Sequence, residues 1–312
     1  MTLGFIGFVA QKTARALLTV LFIVTLVFFV LRLAGDPATV LLGPEATPDM
    51  IEELTLRLGL DQPLWRQYVA YLSNVLSGDF GSSFLHNRDA LALVMEHVGE
   101  TLLLSGAALA FALLIGVPLG VVSALHRGSA WDRAAMTFAV LGYCIPNFFL
   151  AVLLMLLLSI HWALLPTSGG GSLAHLVMPT ITLGTASAAI IARFTRSAML
   201  EVLGSRYMRA AEARDLPTVR LMVHHAFPNA AIPVVTVVGF MIGGMIGGSI
   251  VTETVFAWPG MGRLFVSSVA NRDIPVVQVI VLLSGAAMVV TNLIIDILYG
   301  WLDPRIRLRR AA

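Results

Sequence analysis

The chain contains six long apolar runs, and each is bordered by charged or polar residues. None of the six runs contains a charged residue. A helix that crosses an apolar layer about 30 Å thick needs roughly 20 residues. The pattern predicts six transmembrane helices, over Ala16–Leu31, Thr101–Leu125, Ala134–Ile160, Leu176–Ala192, Ala230–Thr252 and Ile274–Ile295.

The segment between the first two runs carries the signals of short helices. Thr47–Asp49 has the order of an N-cap, a first-turn proline and a first-turn acid. A second helix is expected to open at Gln62–Pro63 and to end before Gly78. We predict four parts: a tail and first span over residues 1–34, an extracytoplasmic helical lobe over 35–99, a transmembrane core over 100–300, and a cytoplasmic tail over 301–312.

The composition supports an all-α polytopic membrane protein. Of 312 residues, 58% are hydrophobic and only 12% are charged, about half the charged share of an average soluble domain. Mean hydropathy is +0.88. These values exclude a disordered chain, a collagen and a disulfide-stapled secreted domain. The single cysteine, Cys144, allows no intramolecular disulfide, and a net charge of +2 is too small to indicate nucleic-acid binding.

The distribution of basic residues predicts the orientation of the spans. Fourteen of the 20 Lys and Arg residues lie on one side of the six runs. The positive-inside rule makes that side cytoplasmic, so both termini are expected inside the cell. The cytoplasmic segments are Met1–Arg15, His126–Arg133, Arg193–Asn229 and Trp301–Ala312.

The sequence lacks the motifs of common catalytic sites. It contains no H-E-x-x-H, no G-x-S-x-G and no phosphate-cradling G-x-x-x-x-G-K-[ST]. The seven histidines show no metal-ligand spacing within one span. We therefore predict no catalytic, cofactor-binding or metal-binding residues, and we do not expect an enzyme.

The longest cytoplasmic segment, Arg193–Asn229, is amphipathic. Its stretch Tyr207–Arg214 is rich in helix-forming Ala and Arg, and Pro217 is expected to end or restart the helix. Such a short helix either docks onto a soluble partner or only touches lipid headgroups at the membrane surface.

Glycines recur every four residues along the fifth run, which allows helix backbones to approach closely. They serve either packing within the chain or packing against a partner along a central path. The two predicted stripes are Gly239, Gly243 and Gly247, and Gly244 and Gly248.

Three prolines and two acids in or near the spans are further candidates. Prolines in the second, third and fourth runs are expected to kink helices: Pro118, Pro146 and Pro179. Glu253 and Asp296, the acids nearest the bilayer, either couple transport to protons or pair with nearby Arg or water. Trp258 is expected as an aromatic anchor at the membrane interface.

Several short motifs occur in an order that resembles one family. They are Arg32–Pro37, Leu60–Leu64, Gly78–Gly81, Pro146–Phe148, Glu253–Gly262, Asn271–Asp273 and Asp303–Arg307. Together they resemble the permease subunits of bacterial ABC importers in the dipeptide, oligopeptide and nickel branch. The resemblance covers nearly the whole chain.

That family carries a cytoplasmic motif, E-A-A-x3-G-x9-I-x-L-P, which docks a helix into a cleft of the ATP-hydrolysing subunit. The match here begins at Arg209, and Phe227–Pro228 fill its Leu-Pro positions. Asp215 stands where the family has glycine, and Asp tolerates positive φ better than most residues. The resemblance thus implies a coupling helix with the docking residues Arg209, Ala210, Ala211, Glu212, Asp215 and Leu216.

The resemblance implies a type I importer permease of the bacterial inner membrane. The chain would form a pore with a homologous second permease, above two ATPase subunits that bind ATP and Mg. A periplasmic or lipid-anchored binding protein would deliver substrate, and membrane lipid but no nucleic acid would be bound. Small peptides are the first expected substrate, with glutathione or nickel chelates as alternatives. A stand-alone secondary transporter, a different class, would need mid-membrane ionisable residues and an inverted repeat.

Overall fold

The computed structural model describes residues 2–33, 42, 46–57, 59–214 and 217–302. Within these ranges the chain is almost entirely helical. Its first helices are α1 (Thr2–Leu33), α2 (Pro48–Arg57), α3 (Leu64–Ser77), α4 (Ala90–Leu125), α5 (Ala130–Cys144) and α6 (Asn147–Leu154), which continues as a π-helical turn over Met155–His161. There follow α7 (Leu173–Leu203), α8 (Arg206–Glu212), α9 (Thr218–Leu221) with a π-helical turn over Met222–Ala226, α10 (Phe227–Gly248), α11 (Ile250–Val255), α12 (Met261–Ala270) and α13 (Ile274–Leu302).

Some predicted features lie outside the described residues. They are the tail from residue 303 with the Asp303–Arg307 motif, most of the Arg32–Pro37 motif, and Asp215 and Leu216 of the docking motif.

The six-span all-α fold is confirmed. Five described helices are long and apolar enough to cross a membrane, and the bent pair of α5 and α6 makes a sixth. Two predicted runs were short for a span, but their helices are longer. The first run lies within the 32 residues of α1 and the fourth within the 31 residues of α7, because polar residues at the run ends continue each helix.

The third predicted span, Ala134–Ile160, is a broken helix. The axes of α5 and α6 meet at 101°. Ile145 and Pro146, which separate them, have extended backbone angles, because a proline disfavours helical geometry in the residue before it. The kink predicted at Pro146 is therefore confirmed as a full break. Pro118 and Pro179 instead lie inside continuous helices.

Both predicted helices between the first two spans are present. The hydroxyl of Thr47 accepts the N–H of Met50 at 3.4 Å, so α2 begins with the predicted cap and proline. Helix α3 ends at Ser77, and Gly78 follows with φ of 77°, a left-handed conformation that suits glycine at a helix C-terminus.

The chain forms two compact units, of which the first comprises Met1–Gly99 and Leu264–Ala312. In this unit α1 packs against α13 and α3, with a core of Val24, Val27 and Leu282. The Thr25 and Tyr68 hydroxyls lie 2.6 Å apart and join α1 to α3. The division into four parts that the sequence suggests remains a prediction.

Two acids of the first unit have defined partners. Asp296 accepts a hydrogen bond from Nζ of Lys12 at 2.6 Å, so lysine takes the place of the expected arginine or water. Asp273 is fully buried and accepts from the Ser83 hydroxyl at 2.5 Å and from the Phe84 N–H at 3.1 Å. These two bonds to Asp273 join the loop before α4 to the start of α13.

The second unit is Glu100–Arg263. Helix α7 is its central element, with α5, α6 and α10 packed against it. Twelve residues of α7 are buried, including Ile191, Ala192 and Thr195. The predicted docking motif, the glycine stripes and the Glu253–Gly262 motif all belong to this unit.

Candidate functional site

The stretch predicted to form the docking helix is helical. Helix α8 covers Arg206–Glu212. Ser205 caps it, because its hydroxyl accepts the N–H of Met208 at 3.4 Å. The chain becomes helical again at Thr218, directly after Pro217, as the proline predicts.

One face of α8 is fixed to the chain's own core through Met208, which is fully buried. The other buried members of this cluster come from the ends of α4 and α7 and from the segment after α8. They are Ala124, Ala198, Met199, Leu221, Ala226 and Ala230. Because a seven-residue helix is marginal alone, this packing is what holds α8 in a defined position.

The structure separates the two alanines of the docking motif. Ala211 is half-buried and packs against the Met208 cluster, whereas Arg209 and Ala210 are exposed. The side chain of Glu212, like all of Asp215 and Leu216, lies outside the described residues. The exposed residues described on α8 are Arg206, Tyr207, Arg209 and Ala210, so Arg209 and Ala210 are the residues of the docking motif that a partner can reach.

The glycine stripes of α10 fall on two different surfaces. Gly239 and Gly243 are buried within the chain, whereas Gly244 and Gly247 are exposed. A Cβ added at either exposed glycine would meet open space. No side-chain environment is described for Gly248. Packing within the chain thus accounts for the first two glycines, and the exposed ones are free to meet another subunit.

A close helix approach that glycine permits in the second unit lies on α4, where the sequence analysis does not predict it. A Cβ at Gly120 would lie 2.5 Å from the Ala192 carbonyl oxygen and 2.6 Å from Cβ of Thr195. One turn earlier, a Cβ at Gly116 would lie 2.6 Å from the carbonyl oxygen of Ala188. The four-residue spacing of these glycines, which also occurs on α10, was the available signal.

Glu253 is a buried polar centre rather than a partner of arginine. Its side chain is fully buried, and its Oε1 accepts the hydroxyls of Thr101 and Ser249, each at 2.8 Å. Its Oε2 accepts the N–H groups of Gly262 at 2.6 Å and Arg263 at 3.2 Å. These last two groups lie in the first turn of α12, where a helix offers free N–H donors and favours a negative charge.

Two further contacts hold the loop after α11 and the first residue of α12 to Glu100 and Thr101, more than two turns inside α4. The Met261 N–H donates to the Thr101 hydroxyl at 2.8 Å. The Trp258 ring N–H donates to the Glu100 carbonyl at 3.0 Å, and Trp258 is only 2% exposed. The prediction of an interfacial anchor at Trp258 is therefore wrong, because the indole has found a buried acceptor inside the chain.

An ion pair that the sequence analysis missed joins α5 to α7. Arg196 donates from Nε to Oδ1 of Asp132 at 2.7 Å and from Nη2 to Oδ2 at 2.8 Å. Oδ1 also accepts the Ser123 hydroxyl at 2.5 Å, and Oδ2 the Gly128 N–H at 2.9 Å. The side chain of Asp132 is 5% exposed. Its position as the single acid in the segment His126–Arg133 was the available signal.

Among the residues that the structure describes, no three His, Cys, Asp or Glu side chains gather closely enough to hold a metal ion. The described features suit a structural contact with a partner. A short helix with an exposed small residue is anchored to a helical unit, and hydrogen bonds and close glycine contacts hold that unit together.

Comparison with known proteins agrees with this arrangement. The chain matches a family described as "binding-protein-dependent transport system inner membrane component" over residues 116–308. It matches the corresponding N-terminal family over residues 5–105. It is 43% identical over 298 residues to the glutathione transport system permease protein GsiC of Escherichia coli K12, across 95% of this chain and 97% of that protein. The protein of the same name from Salmonella typhi is 42% identical, across 97% and 99%.

Solved structures support the fold. An amino acid ABC transporter with histidines aligns with a TM-score of 0.54 at 17% identity, over 68% of this chain and 94% of that one. The MetNI methionine ABC transporter in an inward-facing conformation aligns with a TM-score of 0.53 at 20% identity, over 65% and 94%. The chain therefore belongs to the inner-membrane components of binding-protein-dependent transport systems, and it is the multi-pass permease of a bacterial ABC importer.

Proposed function

We propose that this permease forms half of a translocation path for small peptides, and that a homologous second permease forms the other half. Two ATPase subunits below it bind ATP and Mg, so the chain needs no ATPase site of its own. A periplasmic or lipid-anchored binding protein delivers the substrate. Both termini lie in the cytoplasm, in keeping with the 14 basic residues on that side.

The observation that carries the ATPase contact is the position of α8. Met208 anchors the helix in the core, while Arg209 and Ala210 are exposed. A small side chain at Ala210 lets a partner surface approach the helix backbone closely, and Arg209 adds a cation that can bond to carboxylates or carbonyls. Because the helix is anchored, a push on this face is passed to the chain instead of being absorbed by a mobile loop.

The peptide substrate is supported by the relatives named for glutathione transport, which share 42–43% identity with the chain. Glutathione is a tripeptide, so it falls within the same chemical class as di- and oligopeptides. Nickel chelates are the alternative cargo of the same branch.

The test is uptake by the whole importer. The permease pair, ATPase and binding protein are reconstituted in proteoliposomes, and ATP-driven entry of a radiolabelled tripeptide is measured. Unlabelled glutathione and dipeptides are added as competitors, and nickel with histidine as a separate cargo. We expect tripeptide entry that peptides suppress. Nickel entry without peptide entry would replace the proposed substrate.

A further inference from the structure

The ion pair between Asp132 and Arg196 lies at the N-terminal end of α5 in the second unit. Asp132 is in the first turn of α5, which Ser129 caps by accepting the Asp132 N–H at 3.1 Å. From there α5 runs to Cys144 and then breaks at 101° into α6. The pair therefore holds the end of α5 that lies opposite the break.

Among the described side-chain partners of Asp132, Arg196 is the one that lies beyond the hairpin of α4 and α5. Ser123 lies in the last turn of α4, and Gly128 lies in the loop before α5, so both donors belong to the hairpin of α4 and α5. Arg196 belongs to α7, 64 positions further on. Loss of the guanidinium would leave the hairpin's own bonds in place and remove the polar link to α7.

Helix α7 in turn is packed with α8. Met199 lies one turn after Arg196, and it shares a buried cluster with Met208 of α8 and with Ala124 at the end of α4. Close by, the glycine contact of Gly120 with Ala192 brings the α4 and α7 backbones together. The polar pair, the cluster and the glycine contact thus lie along one short stretch of α7.

We infer that Asp132 and Arg196 are positioning residues that make α5 move together with the docking helix α8. Displacement received at Arg209 and Ala210 is then passed through α7 to α5 and to the break at Pro146. This inference rests on the proposed function of α8 as the ATPase contact.

The chemistry of the pair suits this role. An arginine fork with two parallel bonds to a carboxylate fixes orientation as well as distance. Apolar contacts such as those of Ala124 are less directional, so helices joined by them alone can slide or rotate. The partial burial of Arg196, whose side chain is 27% exposed, protects the pair from screening by salt.

The first experiment measures substrate uptake per ATP hydrolysed by the reconstituted importer. Arg196→Gln removes the fork, Arg196→Lys keeps the charge without the fork, and Ser123→Ala removes a bond to the same carboxylate within the hairpin. Allosteric couplings typically correspond to roughly 5- to 150-fold effects. We expect Arg196→Gln to lower uptake per ATP at least about fivefold, Arg196→Lys to lie in between, and Ser123→Ala to resemble the wild type.

The second experiment follows α5 directly. Cys144 is the chain's only cysteine, is exposed, and ends α5. A fluorophore there, with cysteine-free partner subunits, reports movement next to the break when ATP is added. We expect the ATP-dependent signal in the wild type and in Ser123→Ala, and its loss in Arg196→Gln while ATP is still hydrolysed.

An unchanged uptake per ATP and an unchanged Cys144 signal in Arg196→Gln would overturn the inference. So would a parallel loss of assembly, hydrolysis and uptake in both Arg196 variants, which would make the pair a stability element only. Failure of the proposed function is distinguishable, because the wild-type importer itself would then show no ATP-dependent peptide uptake.

Discussion

The carboxylate of Glu253 accepts the hydroxyl of Thr101 at 2.8 Å, although 152 positions separate the two residues. This bond joins α4, the second span, to α11, which follows the fifth. The other partners of Glu253 are the Ser249 hydroxyl and two backbone N–H groups. Each of these groups donates to the carboxylate. The side chain at position 253 must therefore accept these hydrogen bonds, and an N–H group there would face other donors.

Glu253→Gln is therefore expected to destabilise the chain despite its nearly identical shape. The amide NH2 would face donors, and a buried donor left without an acceptor costs about 1–3 kcal/mol. Thermal unfolding of the purified permease in detergent measures the loss. Glu201→Gln changes an exposed residue of the same unit and should leave the melting temperature unchanged. Equal melting of the two variants would contradict the role of Glu253.

Close packing between α4 and α7 predicts that two glycine-to-alanine variants of α4 differ in thermal stability. Gly120→Ala places a methyl group against the Ala192 carbonyl, and overpacking of this kind costs about 1–3 kcal/mol. Gly106 is the matched control, because it lies on the same helix and a Cβ there meets open space. Gly106→Ala should unfold at the wild-type temperature or slightly above, since alanine favours helix more than glycine. A similar fall for both variants would show that the contact with α7 is not the cause of the loss.

Cysteine labelling tests the predicted orientation. Ala70 lies on α3 and is exposed. In a Cys144→Ser background, Ala70→Cys should react with a membrane-impermeant maleimide in intact cells. Val219→Cys, at an exposed position of the segment predicted to be cytoplasmic, should react only after lysis. The reverse pattern would invert the topology.

Local signals explain why the spans and the lobe helices were predictable from the sequence. The apolar runs, the cap at Thr47 and the glycine at position 78 each act within a few residues of the structure that they specify. The kink at Pro146 was predictable for the same reason. Its size was not, because a bend of 101° depends on what α5 and α6 pack against.

The polar clusters depend on contacts between distant positions, and a single sequence does not show these. Asp132 and Arg196 were each visible as loop charges, but nothing local pairs them across 64 positions. Trp258 was assigned to the membrane interface by a general preference of tryptophan, and its bond to Glu100 is long-range. Likewise, the four-residue spacing of glycines occurs on both α4 and α10, and spacing alone does not tell which stripe meets a neighbour.

The opposite surroundings of Ala210 and Ala211 allow the docking face of α8 to be tested separately from the fold. Ala210 is exposed, so Ala210→Trp should leave the melting temperature of the isolated permease unchanged while it blocks a close-fitting ATPase. Ala211 packs on the Met208 cluster, so Ala211→Trp should destabilise the permease itself by about 1–3 kcal/mol. If Ala210→Trp strains the ATPase interface by the same energy, the affinity of the permease for the ATPase falls about ten- to a hundredfold. Copurification with the ATPase measures this loss, and Ala130→Trp, at an exposed position of α5, is the control that should copurify normally. If Ala210→Trp retains the ATPase as well as Ala130→Trp does, the exposed face of α8 is not the docking surface.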